Sequence, residues 1–145
     1  MLKLKFLKNI PYELESRFQE CKDGLELLKE FNSESRYYTS YRHSELYLFG
    51  RAFQVVCYLH FWKGCLNTIF YKLHKDHFDL FRDSINGDLP EHKQLVRDLN
   101  NERFALESFF EGIAIGLIQQ DDNHFFLKIS KNPSLPRIKS NQINR

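Results

Sequence analysis

Residues 44–65, SELYLFGRAFQVVCYLHFWKGC, decide how the rest of the chain is read. The stretch is apolar nearly throughout, and from Ser33 or Ser35, either of which can cap a helix, to about Ile85 there is neither a proline nor a cluster of turn residues. Within it Ser44, Tyr47, Arg51, Gln54, Tyr58, Trp62 and Cys65 recur at spacings of three and four, the period of one helical face. The spacing therefore predicts a central helix with other helices around it. About fifty residues exceed a single helix in a compact domain, so a break is expected near Gly64 or between Leu73 and Asp76. A shorter helix then follows with Phe78, Phe81 and Ile85 inward, stopped by Asn86-Gly87.

On the N-terminal side Pro11 suits a first helical position, and Leu14, Phe18, Cys21, Leu25 and Leu28 form one apolar stripe of a helix ending near Asn32. On the other side, Asp88-Leu-Pro-Glu91 has the form of a helix start: an acidic cap, proline just inside and an acid three residues on. Leu95, Leu99, Leu106, Phe109, Ile113 and Leu117 then mark a last helix ending in Gln119–Asn123. The expected fold is all-α, an antiparallel bundle of four to five helices. Residues 2–6 and His124–Ile129 alternate in a strand-like way and either pair into a short two-stranded ribbon or extend helices. Residues 1–130 form one domain in this reading, and 131–145 a flexible basic tail.

The composition fits such a domain. Fourteen Phe and seven Tyr beside six Gly and four Pro favour long elements and an aromatic core. Three unevenly spaced cysteines, Cys21, Cys57 and Cys65, point to reduced thiols, and residues 1–10 lack the apolar run of a secretory signal. The window Leu46–Trp62 contains Arg51, Gln54 and His60 and is short for a membrane span. A cytoplasmic protein without a membrane segment is expected. Lys131, Arg137, Lys139 and Arg145 exceed the net charge of +2, so residues 1–130 are net −2. The tail could visit nucleic acid, although a solvated tail explains it as well.

Function is sought on the line Tyr47, Arg51, Gln54, Tyr58, Trp62, because Tyr, Trp and Arg join large contact area to a hydrogen-bonding end. The competing reading is an internal network with Arg51 paired to a carboxylate from another helix. Glu102, between Leu99 and Leu106 on the apolar stripe, is expected near Arg51 or Arg103. Cys57, His60, Cys65, His74 and His77 include ligand types at helical spacing, but there is no CxxC, HExxH or Glu-x-x-His, and neither a metal nor a cofactor is expected. No GxSxG, phosphate-cradling glycine loop or paired acidic motif marks an enzyme.

Arg36-Tyr-Tyr-Thr-Ser-Tyr-Arg-His43 resembles the arginine, four to six residues, histidine pattern of HEPN domains, all-α bundles that include ribonucleases. The resemblance implies a metal-independent ribonuclease using Arg36 and His43. It covers eight residues, and the late helix where that family carries its motif has no histidine in the corresponding segment, Leu95–Ala105. The leading expectation is a small helical interaction protein, an inhibitor, immunity protein or regulatory subunit, that binds another protein through Tyr47, Arg51, Gln54, Tyr58, Trp62 and Glu102.

Overall fold

A computed structural model describes residues 4–131. It corrects the expected fold: the chain is a β protein, not a helical bundle. Ten strands run β1 (Leu25–Asn32), β2 (Ser35–Ser40), β3 (Glu45–Leu48), β4 (Arg51–Gln54), β5 (Val56–Trp62), β6 (Cys65–His74), β7 (Val96–Arg97), β8 (Ala105–Phe110), β9 (Ile113–Gln119) and β10 (His124–Lys131). Eight form one antiparallel sheet in the order β1-β2-β5-β6-β10-β9-β8-β7, while β3 and β4 make a separate hairpin. The described residues include two α-helices, a single turn α1 (Phe18–Cys21) and α2 (Phe78–Asp88).

The stretch read as the central helix is two hairpins. In β5, Cys57, Leu59 and Phe61 point to the core and Val56, Tyr58, His60 and Trp62 to the other face, the two-residue period of a strand. The period is obscured because both sets are apolar or aromatic, and such a run has no polarity contrast to read. The break expected near Gly64 is the β5–β6 turn, in which Lys63 and Gly64 both take positive φ (52° and 80°). This is the turn whose twist matches a two-residue hairpin. Phe49-Gly50 and Glu111-Gly112 close the β3–β4 and β8–β9 hairpins in the same way.

One face of the large sheet is covered. Helix α2 lays Phe81 and Ile85 on it, the β3–β4 hairpin adds Leu46, Leu48 and Phe53, and the N-terminal segment adds Leu4, Phe6 and Ile10. The layers meet at Phe81, whose ring is 5.2 Å from Phe49, 4.9 Å from Phe53 and 5.7 Å from Phe125 of β10. The N-terminal turn is tied to the helix end by the Phe6 N–H, which donates to the Asp88 carboxylate at 3.1 Å. Asp88 therefore closes α2 and does not start a helix; Pro90 leads into one 3-10 turn, Glu91–Lys93.

The helix expected over 11–32 is replaced by the α1 turn and β1, and the last helix by β7, β8 and β9. Of the two alternatives for 124–129 the strand is present, as β10, but it pairs with β6 and β9, while Lys5–Asn9 is a 3-10 helix; of the expected ribbon partner, residues 2 and 3 lie outside the described residues and Leu4–Phe6 form no strand. The tail from 132 lies outside the described residues. Among the described residues no helix is long and apolar enough to cross a membrane.

Candidate functional site

Helix α2 and the β3–β4 hairpin both sit on the core face, so the side chains alternating with that core project from a face that carries no helix or hairpin among the described residues. Registers fix its members. Tyr58 lies opposite Thr39 on one side and Phe70 on the other, and Phe70 lies opposite Lys128; one row on, Tyr37 faces His60 and His60 faces Thr68. Each group is thus held by backbone pairing in the rigid centre of the sheet rather than by a loop.

The rings on this face touch one another. Tyr37 stacks on His60 with centroids 4.3 Å apart, and Phe126 meets Phe70 at 5.7 Å and Tyr58 at 6.2 Å, both edge to face. Phe31, on the edge strand, reaches Tyr37 at 5.5 Å. Small residues, Thr39, Thr68 and Ser130, are buried between them and form the floor. His60 is further fixed by a 2.9 Å hydrogen bond between its Nε2 and the Ser35 hydroxyl. Burial, with Lys128 assisting, holds its pKa below the usual histidine value, so the ring is neutral at pH 7. Across Gly116 from Lys128, Glu107 is pushed above the usual carboxylate range by burial and by Asp98, with Lys128 opposing.

This arrangement can do contact chemistry: flat apolar area at low entropic cost, with lysines and hydroxyls for orientation. Trp62, 44% exposed, and Phe31, 57% exposed, extend the surface toward the β5–β6 turn and the β1 edge.

The structure divides the residues expected on one helical face. Tyr58 and Trp62 are on the open face. Tyr47, Arg51 and Gln54 are on the β3–β4 hairpin, which packs against the opposite face of the sheet: Tyr47 is exposed, the Arg51 guanidinium sits 5.3 Å from the Phe53 ring, and Gln54 Nε2 is 3.5 Å from a Glu45 carboxylate oxygen. Glu102 is exposed in the β7–β8 connection and forms no ion pair with Arg51 or Arg103 among the described residues; Arg103 donates to the Gln120 carbonyl instead. Neither residue belongs to a buried network.

Arg36 and His43 lose the helical face the resemblance supplied. Arg36 is on β2, paired with Glu30 at 3.5 Å, and His43 follows the far end of that strand against Tyr12, with ring centroids 5.1 Å apart. The strand from Arg36 to Ser40 alone spans about 13 Å, and His43 lies past its end beyond the bend at Tyr41 and Arg42, so the two do not share the face that the motif needs. Of the metal-type residues, Cys57 faces the core and His60 the opposite side of β5; His74 lies opposite His124, and His77 packs on Phe53. No three His, Cys, Asp or Glu side chains converge among the described residues.

Sequence reasoning did not place on this face Tyr37, His60, Phe70, Phe126, Lys128 or Lys72, which lies opposite Phe126. The signal that finds them is alternation: Val56/Tyr58/His60/Trp62, Thr68/Phe70/Lys72 and Phe126/Lys128/Ser130 are each spaced by two. No protein-family model matches the chain, and no curated protein or solved structure is detectably similar to it.

Proposed function

We propose that this protein acts by binding another protein, and that the open face of the large sheet is the binding surface. The observation that supports the reading is the connected set of rings Tyr37, His60, Phe70, Tyr58 and Phe126 on the side of the sheet facing away from the core. An antiparallel sheet with one solvated face normally alternates apolar and polar residues. Here five of the outward positions, Tyr37, Tyr58, His60, Phe70 and Phe126, carry rings among lysines and hydroxyls, and tyrosine and phenylalanine are enriched where proteins meet. The rings are held by one another and by ladder pairing, so little side-chain freedom remains to be lost on binding.

The test captures partners from native extract with the tagged full chain at high salt. Tyr58→Ala and Phe126→Lys probe the face, and Tyr47→Ala, on the opposite side, serves as control. A protein retained at fixed stoichiometry by the wild type and by Tyr47→Ala, and lost by at least tenfold with both open-face variants while their circular dichroism is unchanged, is the expected result. Retention that ignores the open-face changes, or that disappears with ribonuclease treatment, overturns the reading.

A further inference from the structure

We infer that a second copy of this chain pairs with β1, joining two large sheets edge to edge across a two-fold axis that passes between Leu27 and Leu28. The inference does not rest on the protein-binding reading of the open face, and the two fail separately.

Among the described residues β1 is an edge of the sheet, bonded to β2 on one side only, and every residue after Leu25 is exposed. The opposite edge, β7, is two residues long, whereas β1 offers eight. An unpaired edge presents a row of N–H and C=O groups to any strand that can lie beside it. Leu27 and Leu28, 50% and 57% exposed, occupy its middle, where a protected edge would carry lysine or proline.

The register identifies the occupant. Leu27 lies opposite Tyr38 but Lys29 lies opposite Tyr37, so an extra residue, Leu28, is inserted there, as Phe31 is between Glu30 and Asn32 farther along β1. Because of the Leu28 insertion Glu26, opposite Thr39, and Lys29, opposite Tyr37, project from the same open face although they are three apart in sequence. Residues opposed in an antiparallel pair must share a face. With the axis between Leu27 and Leu28, Glu26 meets Lys29 of the second copy twice, once on each side, and Leu27 meets Leu28 of the second copy at the centre.

Neighbouring registers lose this match. An axis through Leu28 sets Glu26 against Glu30 of the second copy, and one through Lys29 sets that lysine against itself. Bulges and charges on an edge usually oppose pairing. Here the bulge brings the two charges onto one face, and the charges are complementary across the axis.

The experiment is light scattering of the full chain over a dilution series. The expected mass is twice the 17.5 kDa of one chain, falling to the single-chain value on dilution. Glu26→Lys and Lys29→Glu each place two like-charge pairs across the axis and should weaken the dimer by about tenfold, whereas the double swap E26K/K29E restores wild-type dissociation. Both sites are exposed, and circular dichroism verifies the fold of each variant; Leu28→Arg, at the centre, is an independent probe that should give the single-chain mass. A wild type with the mass of one chain at every concentration overturns the proposal. So does a dimer that ignores both Glu26→Lys and Leu28→Arg, or a double swap no tighter than the single variants.

Discussion

The same chemical change, glycine to alanine, should have opposite signs at two positions 23 residues apart, Gly64 and Gly87. Gly64 has φ of 80° in the β5–β6 turn, and Gly87 lies within α2. A Cβ added at either position meets nothing within 4 Å, so neither change involves a clash and the backbone alone decides. At Gly64 the left-handed conformation costs an L residue about 1–2 kcal/mol, part of which is offset by the lower entropy of the unfolded chain, for a net loss of about 1 kcal/mol. At Gly87, near the helix end, alanine should add about 0.5 kcal/mol. Urea unfolding followed by far-ultraviolet circular dichroism measures both, with the slope on denaturant expected to be unchanged. With Gly64 in the interior of a helix, as in a bundle, Gly64→Ala would instead stabilise. Stabilisation by Gly64→Ala would refute the hairpin, and destabilisation by Gly87→Ala would refute the helical assignment at that position.

Phe81→Ala removes the ring at which hairpin, helix and sheet meet and should cost about 4 kcal/mol in the same assay; a loss below about 1 kcal/mol would show that the three layers do not converge there. His43 and His60 both have pKa values held below 6.5, chiefly by burial and then by Arg42 and Lys128 respectively, so the unfolded chain takes up protons more readily than the folded one. Their contribution is complete above pH 6.5 and is lost as pH falls through the lowered values, so the urea midpoint should drop in acid, and by less in His60→Gln. A midpoint drop equal in His60→Gln and wild type would contradict the assignment for that ring. Cys57 is fully buried, with its thiol pushed up to about 12 by burial, whereas Cys65 is only partly buried. A thiol reagent should modify Cys65 in the folded protein and reach Cys57 only after unfolding; native-state labelling of Cys57 would refute its burial.

Two elements were legible, the helix after Leu73 directly and the strand at His124–Ile129 as one of two alternatives, the other being a helix extension. Phe78, Phe81 and Ile85 have helical spacing and end near Asn86-Gly87, and they form α2; His124–Ile129 alternates and forms most of β10. Elsewhere helical spacing was assembled across turns. The series from Leu95 to Leu117 crosses Asp98–Asn101, a turn in which Asp98 accepts from the Asn100 N–H, and then Glu111-Gly112. The hairpin turns were hard to see for a chemical reason. A two-residue turn with both φ positive favours asparagine or aspartate before glycine, and here Phe49, Lys63 and Glu111 occupy those positions and adopt φ of 54°, 52° and 53°. Asp88-Leu-Pro-Glu91 misled for a related reason. Its aspartate has a partner 82 residues away, the Phe6 N–H, and nothing local distinguishes that tether from a helix cap.

The candidate face was half legible because residues four apart share a face in a helix and in a strand alike. Tyr58 and Trp62 remain together under either period. Tyr47 and Arg51 are also four apart, but the Phe49-Gly50 turn lies between them, and the hairpin carries both to the other side of the sheet. Residues two apart separate the two periods. On a helix His60 points away from Tyr58 and Trp62, whereas on β5 it stands between them, stacked on Tyr37 and facing Thr68. Lys72 and Phe70, and Lys128 and Phe126, have the same two-residue relation. The members that complete the surface are therefore those a helical reading must discard, and once the strand period is adopted they follow from the residues already in hand.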